Sequence, residues 1–267
     1  MMDINGSPLA AEGNIRLAFS KPTRTVEEQS LLFNSYGSCG YEGLQLKNNQ
    51  YAPYLDEPER FKEQWGHLKG VGSALIAFGS LQEKDQVNLR RMIQFGKVLG
   101  TEIIVFCPAD PRQEKNRKED IAKVASVLSG LGMEAREEGI QISLHHHYNS
   151  PVMHREDFDI FFDHIEDQSI GLTVDTAHLV KSGIMDIAEL VRSFRQVINN
   201  FHLKDYSNGE WRVLGQGDIS FDPVFQAIHE IGFKGWVSAD EESGGGITEG
   251  LGECFSYINS RMIKLHP

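Results

Sequence analysis

The chain has 267 residues, of which 40% are hydrophobic and 24% charged, and its formal net charge is −12. This length suits one large α/β barrel or two small domains of a globular protein. The negative charge argues against broad binding to nucleic acid, which needs a basic surface, and no apolar run is long enough to span a bilayer.

The first residues, Met1–Pro8, have neither the basic region nor the apolar region of a signal peptide, so we expect a cytoplasmic protein. Residues 1–13 are predicted to be a leader, and residues 14–267 a single barrel domain. Cys39, Cys107 and Cys254 are far apart and form no Cys-x-x-Cys pair. This spacing argues against a disulfide framework and against a thiolate zinc site.

Short β-type runs alternate with longer helical runs along the chain. Eight strands are predicted, at Ile15–Phe19, Gly43–Leu46, Ala74–Phe78, Glu102–Phe106, Gln141–His145, Gly171–Val174, Val197–His202 and Trp236–Ala239. Helices are predicted at Thr25–Tyr36, Asp85–Leu99, Lys118–Glu137, His154–Ile165, Ile187–Phe194, Asp222–Ile231 and Glu249–Ile263. Eight β-plus-α units in about 250 residues suit a single (β/α)₈ TIM barrel. A doubly wound open sheet is the alternative, weakened because no Gly-x-Gly-x-x-Gly follows any strand.

Local signals support several of these boundaries. Thr25 followed by Glu28 is a helix N-cap pattern, and Gly100, Gly139 and Gly232 each stand where a helix would end just before a strand.

Four polar clusters stand where predicted strands finish, at Leu144–His147, Val174–His178, Phe201–Asp205 and Ala239–Glu242. Because strand side chains alternate in direction, one face of these segments is polar and the other apolar. The polar face is predicted to carry His145, His147, Asp175, His202, Lys204, Asp240 and Glu242. The apolar face, toward the helices, is predicted to carry Leu144, Val174, Leu203 and Ala239. The polar set should therefore converge at the C-terminal mouth of the barrel, where active sites of this fold lie.

The residue types at these strand ends predict a metal centre. Two imidazoles and two carboxylates make a mixed nitrogen and oxygen site for one divalent ion, and they suit Mn, Zn, Co or Fe better than Mg. Such an ion would polarise a carbonyl group while a nearby His, Lys or carboxylate moves a proton. Each cluster alone is also compatible with a solvated strand end, but four such clusters in correct alternation favour the metal site.

These segments resemble the sugar isomerase/epimerase superfamily with a xylose isomerase-like TIM barrel. The superfamily includes ketose 3-epimerases, hydroxypyruvate isomerase, inosose dehydratase, 3-dehydroshikimate dehydratase and endonuclease IV. Val174–His178 resembles its D-T-x-H element, His202–Asp205 its H-x-K-D strand, and Leu214–Phe221 its G-x-G-x-x-x-F turn. The resemblance extends over nearly the whole chain, from Gly40–Leu46 to Gly235–Asp240.

The resemblance implies a set of site residues. The implied metal ligands are His145, Asp175, His202 and Asp240. The implied catalytic residues are His145, Asp240, Lys204 and His178. The expected substrate-binding residues are His147, Gln45, Arg212 and Glu242. His145 and Asp240 depart from the family pattern, because Glu is usual at both positions and the two glutamates are the paired acid and base of the epimerases.

The first hypothesis for function is a metal-dependent isomerase or epimerase that acts on a sugar, sugar phosphate or polyol by proton transfer α to a carbonyl. The second is an inosose dehydratase-like lyase that eliminates water from a keto-inositol or related ring. The third is a barrel that binds a sugar without catalysis. In each case the expected partner is a small molecule, with no nucleic acid and no membrane, and a homo-oligomer is possible.

Overall fold

The computed structural model describes residues 14–264, so the predicted leader, residues 1–13, lies outside the described residues. The strands are β1 (Arg16–Ser20), β2 (Gly43–Leu46), β3 (Val71–Gly79), β4 (Ile103–Pro108), β5 (Gln141–His145), β6 (Ile170–Asp175), β7 (Ile198–Leu203), β8 (Asp205–Ser207), β9 (Glu210–Arg212) and β10 (Trp236–Asp240). The helices are α1 (Val26–Ser35), α2 (Asn48–Tyr51), α3 (Pro58–Trp65), α4 (Glu83–Leu99), α5 (Arg117–Glu137), α6 (Arg155–Asp163), α7 (Thr176–Lys181), α8 (Ile187–Ser193), α9 (Asp222–Glu230) and α10 (Ile247–Lys264). Short 3₁₀ turns lie at Ala52–Tyr54 and Glu114–Asn116.

Eight parallel strands close into a barrel in the order β1-β10-β7-β6-β5-β4-β3-β2, which confirms the predicted (β/α)₈ architecture. All eight predicted strands are present, with ends that differ by at most a few residues. No helix within residues 14–264 combines the length and the apolar character that a membrane span requires.

Local sequence determines several of the helix boundaries. The Thr25 side chain accepts a hydrogen bond from the Glu28 backbone N–H and so caps α1. The predicted helix ends at Gly100, Gly139 and Gly232 all have positive φ, at 78°, 78° and 61°. Glycine adopts this left-handed conformation without a Cβ penalty, so the chain can leave each helix and enter the next strand.

The apolar core has two parts. The larger part lies between the strands and the helices and includes Leu144, Val174, Leu203 and Ala239, all on the face predicted for them. A smaller cluster of strand residues lies on the opposite face, inside the barrel, and contains Ala18, Ala74, Ile103, Val105 and Trp236. The polar residues Gln45, Ser143, Thr173 and Asn200 share this inner face, and they form the support of the site described below.

Four elements differ from the prediction. The single-turn helix α2 was not predicted. Helix α3 was not predicted either, because it is short and its apolar face consists only of Phe61 and Trp65, one turn apart. Helix α7 begins at Thr176, inside the polar cluster Val174–His178, where no helix was predicted. The antiparallel hairpin β8–β9 was also not predicted, although its turn residues Asn208 and Gly209, with φ of 52° and 84°, are the usual hairpin signal.

Candidate active site

A layer of buried polar side chains fills the barrel below the mouth. The Gln45 Nε2 donates to the Asn200 Oδ1 at 2.8 Å, and the Asn200 Nδ2 donates to the Thr173 Oγ1 at 3.3 Å. The hydroxyls of Ser143 and Thr173 are 2.7 Å apart and share a hydrogen bond. Since these groups satisfy one another's hydrogen bonds, the layer is a rigid polar base for the next rung, which is the layer of side chains one inward-facing position closer to the C-terminal ends of the strands.

The next rung brings together the four predicted metal ligands. The His145 Nε2 lies 3.2 Å from the Asp175 Oδ2, and the His202 Nδ1 lies 4.0 Å from that same oxygen. The His202 Nδ1 also lies 3.7 Å from the Asp240 Oδ2. His145 is 4% exposed, Asp240 1%, and the other two are fully buried, so water does not compete strongly for their lone pairs.

Asp175 is held by the helix that follows it. Its Oδ1 accepts the backbone N–H groups of Ala177 and His178 at the start of α7, at 3.1 and 3.0 Å. Its own backbone N–H donates to the His146 Nε2 at 3.1 Å, and the His146 ring packs against Phe158 on the helix side. One carboxylate oxygen is therefore fixed as a helix cap, and the other remains directed into the site.

His202 presents a bare nitrogen to these carboxylates. The hydrogen-bond network assigns a proton to its Nε2, which donates to the Gln45 Oε1 at 2.8 Å. The Nδ1 lone pair then faces Asp175 and Asp240, and this Nδ1 has no hydrogen-bond partner among residues 14–264. A lone pair aimed at two carboxylates is stabilised by a cation between them. Ligand atoms of His145, Asp175 and His202 all lie within 4.8 Å of one another, as do those of His145, His147 and His178. The first set fits a divalent ion of the Zn or Mn type, with Asp240 beside His202 as the fourth donor.

Two lysines surround the carboxylates. The Lys204 Nζ lies 2.7 Å from the Asp240 Oδ2, 3.6 Å from the Asp175 Oδ2 and 2.9 Å from the Glu242 Oε2. The Lys47 Nζ contacts the Asp240 Oδ1 and the Glu242 Oε1, each at 2.6 Å. The two ammonium groups offset the negative charge that the buried Asp175 and Asp240 and the half-buried Glu242 would otherwise concentrate at the mouth.

Burial and charge set the pKa values of the site. Burial opposes ionisation of Asp240, but Lys204 and Lys47 outweigh it and hold the pKa of this carboxyl well below its usual range. Burial likewise opposes the charge on Lys204, yet Asp240 and Asp175 raise its pKa above its usual range. Burial lowers the pKa of His202 to about 3 and that of His147 to about 4. Both imidazoles are therefore neutral near pH 7, as ligation or proton acceptance requires.

His147, His178 and Trp211 form the side of the site nearest the hairpin. The His147 and His178 rings lie against each other, with centroids 3.5 Å apart and planes tilted by 35°, and Trp211 of β9 lies 4.9 Å from His178. The Lys204 Nζ is 5.2 Å from the Trp211 ring and the Lys181 Nζ 4.8 Å from it, within cation–π range. The hairpin therefore covers the imidazoles and leaves the opposite side of the mouth open.

The open side is a cavity of about 610 Å³. Its polar lining consists of Lys47, Asn48, Asn49, His145, His147, Asn149, Ser150, Lys204 and Glu242. Asp175, His202 and Asp240 lie beneath this surface, so His145 and Lys204 connect the donor set with the space that a ligand would occupy. The volume lies within the range of about 300–1,000 Å³ that is typical of small-molecule sites.

Two predicted substrate-binding residues do not line this cavity. Gln45 is fully buried in the polar layer below, and Arg212 lies on the hairpin with its guanidinium 2.7 Å from Glu210. His147 and Glu242, by contrast, do line it.

Lys47 was missed by the sequence analysis. It stands two residues after Gln45, at the end of β2, so the alternation that grouped the other polar residues would have placed it at the mouth as well.

The comparisons with known proteins agree with this architecture. The family model of xylose isomerase-like TIM barrels matches residues 36–256. The inosose dehydratase of Lacticaseibacillus casei is 31% identical over 239 residues, covering 76% of this chain and 78% of that protein. A structure of the IolI protein with a zinc atom has a TM-score of 0.75 at 20% identity, covering 94% of this chain and 99% of that one. An L-ribulose 3-epimerase has a TM-score of 0.75 at 15% identity, covering 94% and 95%.

Proposed function

The chain belongs to the family of xylose isomerase-like TIM barrels, and from this premise we propose that it is a metal-dependent lyase that eliminates water from a cyclic keto-sugar or keto-inositol. The main observation in support of the metal centre is the unprotonated His202 Nδ1, which faces two buried carboxylates at 3.7 and 4.0 Å. The 31% identity to a protein named inosose dehydratase supports the same reaction class. We also propose that the protein is cytoplasmic.

The ligands of the ion would be His145, Asp175, His202 and Asp240. When bound there, a divalent ion would polarise the substrate carbonyl and acidify the neighbouring C–H bond. Burial of these side chains in the barrel excludes water from the reacting region, which strengthens every electrostatic interaction there.

The proton transfers use residues that line the cavity. The His147 imidazole accepts the proton from the α-carbon, and the electrons of that C–H bond form a double bond to the β-carbon. The C–O bond at the β-carbon breaks, and the His147 imidazolium gives its proton to the departing hydroxyl, which leaves as water and restores the neutral imidazole. The Lys204 ammonium, held by its carboxylates, stabilises the negative charge that develops on the oxygen.

The surroundings of Asp240 favour elimination over epimerisation. An epimerase needs a proton acceptor and a proton donor on opposite faces of the same carbon. Asp240 is fixed between the ammonium groups of Lys47 and Lys204, at 2.6 and 2.7 Å, so its carboxylate is poorly available as a base. This supports a one-sided mechanism in which abstraction and leaving-group protonation occur at adjacent carbons.

A sugar isomerase or epimerase is the second candidate function. One observation favours it: His147 follows β5, Glu242 follows β10, and both line the cavity. These two strands carry the paired acid and base in the epimerases that the chain resembles. In this reaction the substrate would keep all of its hydroxyl groups.

The test begins with protein freed of metal by a chelator and reloaded with Mn²⁺, Co²⁺, Zn²⁺ or Mg²⁺. Each form is incubated with keto-inositols and ketohexoses in D₂O and followed by NMR. Loss of one hydroxyl with a new alkenyl carbon supports the lyase. Deuterium at the α-carbon with all hydroxyls retained supports the isomerase or epimerase instead.

The Asp175→Asn variant is the control for the metal site. It keeps an oxygen that can cap α7 but removes the charge that an ion requires. We expect it to lose bound metal and at least about 100-fold in turnover. Equal metal content and activity in wild type and variant would contradict the proposed centre. Binding of a sugar by the wild-type protein without turnover of any substrate would instead support a non-catalytic sugar-binding barrel.

A further inference from the structure

The active-site cavity has a second half that the proposed chemistry does not use. The rest of its lining is apolar and consists of Ile76, Ala77, Phe78, Cys107, Pro108, Ala109, Pro111 and Tyr148. Most of these lie in the last residues of β3 and β4. We refer to them below as the apolar wall.

Phe78 is directed into the mouth by the register of β3. Ala74 and Ile76 belong to the apolar cluster inside the barrel, and Phe78 continues the same face two residues later. At this height the barrel has opened, and the Phe78 side chain is 72% exposed. Tyr148, just after β5, is 51% exposed on the same cavity.

Exposed aromatic side chains that share one concave surface are a sign of binding. Single exposed apolar residues are common on proteins, and Val26, Leu31 and Val87 on α1 and α4 are of that kind. Phe78 and Tyr148 differ because they line a cavity that is continuous with the metal ligands and with Lys204. Leaving both rings in water is unfavourable, and a ligand with an apolar surface would relieve it.

The cavity is also larger than the reacting ring needs. Its volume of about 610 Å³ is well above the ~300 Å³ at which small-molecule sites begin. A single keto-sugar ring is among the smaller ligands for such a site, so a ring held against His145, His147 and Lys204 leaves the side bounded by the apolar wall unfilled.

We propose that the substrate carries an aromatic substituent beside its keto-sugar ring, and that Phe78 and Tyr148 bind this substituent at the mouth. The inference rests on the proposed function, since it assumes that the ring occupies the charged half. An aromatic group fits better than an alkyl chain, because two exposed rings can offer edge-to-face or offset contacts to a third.

The test compares two ligands that differ only in the substituent. Phenyl and methyl glycosides of the same keto-pyranose are titrated by calorimetry into metal-loaded wild type, Phe78→Ala and the control Val87→Ala, which removes an exposed apolar side chain from α4 instead. We expect wild type to bind the phenyl glycoside about tenfold more tightly, a difference of about 1.4 kcal/mol. Phe78→Ala should lose that preference and keep its affinity for the methyl glycoside, and Val87→Ala should match wild type.

Equal affinity for the two glycosides in wild type would overturn the proposal, as would a preference for phenyl that Phe78→Ala retains. A second copy of this chain is the competing occupant of the wall. Dissociation of an oligomer in Phe78→Ala, with the preference for the phenyl group unchanged, would assign the wall to that contact and reject the substituent. Calorimetry measures binding, so these outcomes can be read even when neither glycoside is turned over. The absence of turnover would count against the proposed lyase activity and not against the binding of the aromatic substituent.

Discussion

At the scale of single residues, the chemistry depends on which nitrogen of His202 is bare. Gln45 decides this from below, since its Oε1 accepts the Nε2 proton at 2.8 Å. Partners of this kind fix the tautomer and the ring orientation of metal-binding histidines. Gln45 was expected to contact substrate, but it lies beneath the cavity, and we assign it to the support of His202 instead.

Replacing Gln45 with Met tests this assignment. The variant removes the acceptor for the His202 Nε2–H while keeping a side chain of similar length. We expect metal affinity to fall about 10- to 100-fold, as is usual when such supporting partners are lost. Competition with a chromophoric chelator measures it, with Gln86→Met on α4 as the control. An unchanged affinity would mean that His202 does not bind the ion through Nδ1.

At the scale of elements, the hairpin β8–β9 depends on one buried carboxylate. Asp205 accepts four backbone N–H groups: Tyr206 and Ile219 on Oδ1, and Gly215 and Gly217 on Oδ2. A Cβ at Gly217 would lie 2.3 Å from the Asp205 Oδ1, so only glycine permits this close approach. Through these bonds Asp205 fixes the hairpin that places Trp211 over His178.

The Asp205→Ala variant should destabilise this element. It leaves four part-buried backbone donors without this acceptor, and such a donor costs at most about 1–3 kcal/mol. We expect the free energy of unfolding to fall by about 3 kcal/mol or more in urea titrations, with a red shift of the tryptophan emission as the hairpin loosens. Asp205→Asn, which retains one oxygen, should lose less. Asp218→Ala, an exposed neighbour bonded to the Ser207 hydroxyl, is the control and should change little.

At the scale of the whole molecule, the barrel closes between its first and last strands. β1 and β10 pair in parallel from Arg16 with Trp236 to Ser20 with Asp240. Just beyond this seam, the buried side chains of Lys21 and Glu241 form an ion pair, and Glu241 also accepts the Ser243 N–H at 2.6 Å. The pair therefore fixes the start of the loop that carries Glu242 into the cavity.

Removing one partner of this buried pair should destabilise the whole barrel. Lys21→Met leaves the Glu241 charge without its counter-charge, and losses of this kind are about 3–5 kcal/mol. Urea or thermal unfolding should show one cooperative transition at lower stability. The double variant Lys21→Met/Glu241→Gln removes both charges and keeps an acceptor for Ser243, so it should recover most of the loss. A double variant no more stable than the single one would show that the charge of Glu241 is not the cause.

The sequence by itself determined the barrel and the rung of polar residues at its mouth. Both follow from short-range rules, because side chains alternate along a strand and the C-terminal ends of parallel strands share one side of a barrel. Alternation placed seven polar side chains at the mouth, among them His145, Asp175, His202 and Asp240, and the resemblance to the barrel family singled out these four as metal ligands.

Only the tertiary structure decided how deep each side chain lies in the barrel and which groups it contacts. Gln45 and Lys47 lie on the same face of one strand end, yet Gln45 is buried under His202 and Lys47 reaches Asp240 at 2.6 Å. The position of Phe78 at an open mouth, and of Trp211 over the imidazoles, depends in the same way on strands and a hairpin distant in sequence. The physical reason is that alternation gives a side chain its direction, whereas the stagger and closure of all eight strands set its height in the barrel and the groups it contacts.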